Sequence, residues 1–149
     1  MSGFREEIDL DCRPADVWAY VIDPRHLPEW QASAVAARQL DDGPFGLGSR
    51  VRVTRHVGSR QVLTTMECTQ YEPFREWTVR GVDGPVRGRF HGEITPLDEG
   101  RRTRLTMTLD FRGHGLGKVL VPLVVRPQVR KEFRRNEELL RQRLEHGAA

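Results

Sequence analysis

An arginine within an apolar strand is the residue of this chain best suited to ligand chemistry. Arg55 shares its strand parity with Val51 and Val57, and residues two positions apart face the same side of a sheet. Alternation therefore turns the guanidinium inward, unless a bulge shifts the register. Because an inward charge must be paired, we predict that Arg55 orients an anionic or carbonyl-bearing ligand. The alternative is a position at a cavity mouth, with the charged head in water.

The next strands add polar and aromatic groups on one face. Thr64 and Gln70 share a parity, beside the flexible side chain of Met66, and offer hydrogen bonds to a ligand. Trp77 continues this face on the following strand, where its ring either stacks on a flat ligand or serves packing alone. Together with two residues from the apolar faces of later strands, the predicted ligand-binding set is Arg55, Thr64, Met66, Gln70, Trp77, Phe90 and Met107.

Metal and redox chemistry find no support in residue spacing. Cys12 and Cys68 are isolated, and no set of His, Cys, Asp and Glu has the spacing of metal ligands. We predict no metal and no cofactor, and we interpret both cysteines as small core residues. The cysteine pattern, together with the lack of an amino-terminal apolar segment, favours a reducing cytoplasmic location.

Length and composition indicate a single folded domain over residues 1–149. The chain is 38% apolar and 30% charged, with a formal net charge of +3, as in ordinary globular proteins. The apolar run Val119–Val125 is far shorter than the roughly 20 residues that span a bilayer. Acidic residues are interspersed among the arginines near the carboxy terminus, which argues against nucleic-acid binding.

Hydrophobic periodicity predicts the elements that position these residues. Pro14 opens a short helix that Asp23 and Pro24 end, and a second helical turn runs from Arg25 to Trp30. Trp18 and Trp30 are expected to anchor this pair to the sheet. Period-2 alternation predicts seven strands, over residues 4–11, 34–40, 50–57, 60–71, 75–82, 86–95 and 102–111.

A long terminal helix is predicted from Lys118 to Glu145, with apolar residues at spacings of three and four. Pro122 and Pro127 predict a kink or a late start, with regular helix from about Val129. Asn136 lies on the apolar stripe and is expected to bond backbone near the first strand, or else a ligand.

Five segments in this order resemble the START-like superfamily, in its bacterial polyketide cyclase/dehydrase branch. The segments are PADVWAYVIDPRHLPEW, GPFGLGSRVRV, YEPFREW, DEGRRTRLTMTLDF and the helix ending NEELLRQRLE. The resemblance implies an α+β helix-grip fold. In that fold a curved seven-stranded antiparallel sheet wraps around a long carboxy-terminal helix, with two short helices between strands 1 and 2, and a deep apolar cavity holds a hydrophobic small molecule.

Within that fold, acid–base residues remain unassigned and no catalytic residue is identified. The cavity entrances implied by the resemblance fall near His26 and His114, but nothing in the sequence pairs either of them with an acid. His56 and His91 are expected on the surface, and Glu6 is the carboxylate that alternation turns inward.

Three functions follow as expectations. The first is binding of a polyketide, lipid or other polycyclic or acyl compound. The second is a polyketide aromatase/cyclase that catalyses aldol cyclisation and dehydration. The third is a lipid or quinone carrier that acts with a membrane or protein partner. A monomer and a homodimer are both compatible with the sequence.

Overall fold

Seven antiparallel strands form one continuous sheet in a computed structural model, which describes residues 4–113 and 115–146. The strands are β1 (Phe4–Leu10), β2 (Ala34–Gln39), β3 (Arg50–Val57), β4 (Arg60–Glu72), β5 (Glu76–Gly81), β6 (Val86–Leu97) and β7 (Arg102–Gly113). Their order across the sheet is β1-β7-β6-β5-β4-β3-β2. Strands β2 to β7 are therefore a meander of sequential neighbours, and β1 closes its far edge by pairing with β7.

The two short helices between β1 and β2 are present as predicted. Helix α1 (Pro14–Val21) ends before a 3-10 turn (Pro24–His26), and α2 (Leu27–Trp30) follows directly. The Asp23 carboxylate accepts the backbone N–H of Arg25 at 3.0 Å and so caps the second segment. The chain thus changes direction at Asp23, and α2 packs against β2 and the terminal helix.

The terminal helix is continuous and begins at Gly117, one residue before the predicted start at Lys118. It consists of α3 (Gly117–Leu120), a π-helical turn (Val121–Val125), α4 (Arg126–Arg141) and a second π-helical turn (Gln142–His146). The irregularity expected at the prolines is this π-helical turn, and regular α-helix begins at Arg126, three residues before the predicted Val129. A proline removes one N–H and crowds the preceding turn, and a widened turn accommodates this without breaking the helix.

The sheet and the terminal helix enclose the interior and meet at both ends of the helix. At its carboxy-terminal end, Leu140 and Leu144 are buried with Ile8 and Leu105. At its amino-terminal end, Val121 and Val125 are buried in a separate cluster, which also holds Val57 and Val86. These contacts confirm the helix-grip arrangement, in which the sheet curls around one helix.

A glycine in β6 makes room for the largest side chain of the sheet. Gly92 pairs with Trp77 across β5 and β6, and a Cβ placed on Gly92 would collide with the six-membered ring of Trp77. Trp77 is buried and packs edge-on against Trp18 of α1, with ring centroids 5.5 Å apart. The absence of a side chain at Gly92 therefore lets the Trp77 indole lie close to the sheet while it packs against α1.

We expect Gly92→Ala to destabilise the protein by about 1–3 kcal/mol, because the added methyl group displaces a packed indole. Urea unfolding, followed by circular dichroism, measures this. Gly88→Ala, on the same strand, is the matched control, since its Cβ would lie 3.4 Å from the Phe111 ring. Equal stability changes in the two variants would contradict the role given to Gly92.

Candidate functional site

A cavity lies between the concave face of the sheet, α2 and the terminal helix. The cavity volume is about 190 Å³, measured as the space open to the centre of a water-sized sphere. Its wall is mainly apolar and aromatic, and it includes residues of the connection between β2 and β3. Among the lining residues are Phe45, Val53, Trp77, Phe90, Leu109, Phe111, Val129 and Phe133. Such a concave, apolar space with few polar groups is typical of a small-molecule site.

Six of the seven residues predicted to bind ligand line this cavity. They are Arg55, Thr64, Met66, Trp77, Phe90 and Met107. The Thr64 hydroxyl already donates to the carbonyl of Asp83 at 3.3 Å, which leaves its oxygen lone pairs as the available group. The position of these residues agrees with the alternation in the sequence, and a role in binding remains a prediction.

Gln70 lies outside the cavity, so its inclusion in the site was wrong. The register between β4 and β5 shifts between Cys68 and Gln70, and a bulge of one residue reverses the faces of all residues beyond it. The Gln70 amide accepts a hydrogen bond from the Thr78 hydroxyl at 2.9 Å and donates to Glu76 at 3.1 Å. It belongs to the outer face of the sheet.

Arg55 is the cation of the cavity wall. Its Nη1 donates to the Ser33 hydroxyl at 3.1 Å, and Ser33 follows α2 just before β2. Burial lowers the pKa of Arg55 to about 10, although Glu132 of the terminal helix acts in the opposite direction. The guanidinium therefore stays protonated at neutral pH. No carboxylate of the described chain lies within 4 Å of it, so one hydroxyl is its direct side-chain partner.

Glu6 is the carboxyl group that β1 contributes to the same cavity. The pKa of Glu6 is raised to about 7, mainly because burial removes water from its carboxyl group. Glu137 on the terminal helix adds to this increase through charge repulsion and a hydrogen bond. Two carboxyl groups this close favour sharing one proton. Glu6 can therefore hold a proton at neutral pH, when ordinary glutamates have lost theirs.

Two further polar groups lie at the cavity, and only that of Asn136 has a partner within the part of the chain that the structure describes. The Asn136 side chain accepts the backbone N–H of Ala32 at 2.7 Å, so its backbone contact lies in the α2–β2 connection instead of near the first strand. Trp30 is buried and forms part of the cavity wall. Its indole N–H has no hydrogen-bond partner among the described residues, a deficit that costs about 1–3 kcal/mol.

One end of the cavity adjoins a shallow outer depression beside the β3–β4 turn. Gln128 of the terminal helix accepts the N–H of Gly58 at 2.8 Å and donates to the carbonyl of His56 at 2.7 Å. His56, Gln128 and Glu132 line both the cavity and a shallow outer depression, which Lys131 and Arg135 also border. One glutamine thus ties the turn to the helix where interior and surface meet.

Two further histidines that the structure describes, His26 and His91, lie outside the cavity lining. His26 stacks on Tyr20 at 4.3 Å, and its Nδ1 contacts the Tyr20 carbonyl at 2.9 Å. His91 lies on the outer face, between the Thr78 hydroxyl at 2.7 Å and Glu93 at 3.1 Å. His114, expected near an entrance, lies outside the described residues.

Sequence reasoning missed several wall residues because they lie outside regular elements. Ser33 follows α2, and Phe45 belongs to the β2–β3 connection, so periodicity does not reveal which way either one points. Phe4, by contrast, shares strand parity with Glu6, so alternation could have predicted that its side chain faces the cavity. Its ring packs edge-on against Phe133 of the terminal helix at 5.5 Å.

Two features are absent from the described residues. Within residues 4–113 and 115–146, no three side chains of His, Cys, Asp or Glu cluster as metal ligands. In the same part of the chain, no helix combines the length and apolar character needed to cross a bilayer.

Comparisons with known proteins agree with this architecture. Residues 1–145 match the family model described as polyketide cyclase/dehydrase and lipid transport. No curated protein matches the chain by sequence.

Solved structures share the fold at low sequence identity. The ZhuI aromatase/cyclase from a Streptomyces species is 16% identical, with a TM-score of 0.75 over 99% of this chain and 98% of that one. A protein from Thermus thermophilus is 16% identical, with a TM-score of 0.79 over 99% and 100%. A START superfamily protein from Mycobacterium smegmatis is 14% identical, with a TM-score of 0.74 over 96% and 97%.

The raised pKa of Glu6 predicts how stability changes with pH. The folded state binds a proton more tightly than the unfolded state, so its contribution to stability is complete below about pH 4.5 and is lost as the pH rises towards 7. Glu6→Gln removes this loss. Because Glu6 is only half-buried, we expect the variant to gain about 1 kcal/mol over wild type between pH 5 and pH 8.

Urea unfolding at the two pH values measures this difference. Glu7→Gln is the matched control, since Glu7 is the exposed neighbour on the opposite face of β1, and its variant should show the wild-type pH dependence. A Glu6→Gln variant that still loses stability between pH 5 and pH 8 as wild type does would contradict the assignment.

Proposed function

The chain belongs to the polyketide cyclase/dehydrase and lipid transport family, and from this premise we propose that it binds a hydrophobic small molecule through an anionic or carbonyl oxygen. The cavity is the binding site, and Arg55 is the group that orients the ligand. The apolar part of the ligand lies against the aromatic wall. The oxygen faces the guanidinium.

The observation that carries this proposal is the incomplete pairing of Arg55. A charge within an apolar wall is unfavourable unless hydrogen bonds compensate for its lost hydration. The guanidinium has five N–H donors, and Ser33 accepts from one nitrogen. A ligand carboxylate or carbonyl supplies the acceptors that the protein does not, through charge-assisted hydrogen bonds.

The wall favours an extended apolar or flat ligand. Trp77 and Phe90 line the cavity with ring centroids 5.5 Å apart, and Phe45 contributes a further ring from the β2–β3 connection. Aromatic side chains offer large contact areas at low conformational cost. This supports polyketide, polycyclic or acyl compounds as the ligand class.

A second candidate function is a polyketide aromatase/cyclase. It is favoured by one observation, the presence of an acid with a pKa of about 7 in the same cavity as a protonated arginine. Deprotonated Glu6 would remove an α-proton while Arg55 stabilises the enolate oxygen. The enolate carbon then attacks a second carbonyl, whose oxygen takes the proton back from Glu6 and becomes a hydroxyl. Loss of this hydroxyl together with a second proton from the α-carbon releases water and forms a carbon–carbon double bond.

We also propose a cytoplasmic location and a monomeric state for the protein. Cys12 and Cys68 are free thiols, which fits the reducing cytoplasmic location expected from the sequence. The ligand is the one partner that the cavity requires, so a monomer suffices for binding.

We predict that Arg55 makes the protein prefer a carboxylate over an uncharged ligand of equal length. Octanoate should bind wild type about 10- to 100-fold more tightly than 1-octanol, because a hydrogen bond to a charged group contributes about 1.5–3 kcal/mol. Arg55→Gln should abolish this preference while it leaves octanol binding unchanged. Calorimetric titration measures both affinities.

Arg52→Gln is the matched control, because Arg52 lies on the same strand and is exposed, and it should keep the preference. Wild-type protein without a preference, or Arg55→Gln with an intact one, would overturn the role of Arg55. Native mass spectrometry of protein purified from its own host would then identify any ligand that co-purifies. Turnover of a polyketide surrogate, lost in Glu6→Gln, distinguishes the cyclase from the binding protein.

A further inference from the structure

Three aliphatic side chains at the start of the terminal helix are exposed. Leu116, Val119 and Leu123 are 57%, 54% and 69% exposed, and their spacing of three and four residues places them along one side of the helix. The opposite side is buried, since Val121 and Val125 belong to the core. The helix therefore has apolar residues on both its inner and its outer side.

The exposed part of the same helix is basic. Its exposed cations between Gly115 and Arg135 are Lys118, Arg130, Lys131, Arg134 and Arg135. The structure describes this stretch throughout, and none of its fully exposed side chains is a carboxylate. Glu132 is half-buried and lines the cavity. Beyond Arg135 the exposed side of the helix also carries the carboxylate of Glu138, so the excess of cations belongs to the stretch from Lys118 to Arg135.

We propose that this face docks on a membrane rich in anionic phospholipid. We call it the apolar–basic patch, and it consists of Leu116, Lys118, Val119, Leu123, Arg130, Lys131, Arg134 and Arg135. Aliphatic side chains enter the boundary between headgroups and acyl chains, while each cation near an anionic surface contributes about 1 kcal/mol. The two kinds of residue act together, as in helices that lie in the membrane interface.

Charge favours a lipid surface over a second copy of this chain. In a twofold contact the same patch meets itself, so five cations would be brought together with five cations, and the nearby exposed Glu138 of each copy supplies a single carboxylate. Such an arrangement is repulsive. An anionic bilayer complements the basic residues and also receives the leucines.

The position of the patch connects it to the cavity. Lys131 and Arg135 border the depression that shares His56 and Glu132 with the cavity wall. Docking through these cations brings this end of the cavity next to the lipid headgroups, which gives an apolar ligand a short path between the bilayer and the interior. Docking itself requires no ligand, so it is tested independently of the cavity.

Vesicle co-sedimentation tests the patch. Wild-type protein should sediment with vesicles of equal parts phosphatidylglycerol and phosphatidylcholine, but not with phosphatidylcholine alone, and 0.5 M NaCl should weaken binding because it screens charge. The double variant Leu116→Ser, Leu123→Ser should bind at least tenfold more weakly. Leu47→Ser is the control, since Leu47 is 71% exposed on the β2–β3 connection.

A second pair of variants tests the charges. Lys131→Gln with Arg135→Gln should lower the affinity for anionic vesicles about tenfold, whereas Arg80→Gln with Arg89→Gln, two exposed cations paired across the sheet, should leave it unchanged. Octanoate titration of each variant confirms that the cavity is intact.

Three results would overturn the proposal. They are wild-type protein that does not sediment with anionic vesicles, control variants that bind as weakly as the patch variants, and a wild-type dimer that Leu116→Ser with Leu123→Ser converts to monomer in analytical ultracentrifugation. The last result would assign the patch to self-association.

Discussion

The attachment of the terminal helix at its two ends is the constraint on which the rest of the structure depends. A curved sheet with one apolar face must be covered, and here a single helix covers it. Leu140 and Leu144 are buried at one end and Val121 and Val125 at the other, while hydrogen bonds between Asn136 and Ala32 and between Gln128 and Gly58 hold the helix to the loops. Between these attachments the helix contacts the sheet at β1, where Phe133 packs on Phe4 and Glu137 lies beside Glu6, and the space left over the other strands is the cavity.

The polar groups of that space are unfavourable for stability and useful for chemistry. A fully packed interior would exclude both an arginine with one hydroxyl partner and a carboxyl group whose pKa is raised by desolvation. Their presence in one cavity is the feature that separates this interior from an ordinary core. It is also why function here is argued from Arg55 and Glu6, since one fold serves many activities.

Much of the fold and a large part of the site could be predicted from the sequence, because alternation is reliable where strand register is unbroken. The pairing of β3 with β4 runs without a shift from Arg50 to Val57, so the inward position of Arg55 followed from its parity with two valines. The prediction for Gln70 was wrong because one extra residue after Cys68 reverses which sheet face the following residues occupy. Nothing in the composition of this strand indicates the bulge. Other features depended on tertiary contacts that no local pattern contains. The closeness of Glu6 to Glu137 arises from packing of β1 against the terminal helix, and Ser33 reaches Arg55 through a connection without periodicity.

The widened turn at Val121–Val125 has a consequence for how such a chain evolves. A π-helical turn holds an additional residue for the same advance along the axis, so the two ends of the helix need not follow one strict repeat. The anchoring side chains before and after it can therefore be aligned with the sheet separately. Gain or loss of one residue here is absorbed locally, whereas the same change further along would rotate Phe133 and Asn136 away from the interior. At this turn the number of residues in the helix can change while the contacts of the helix with the sheet stay the same.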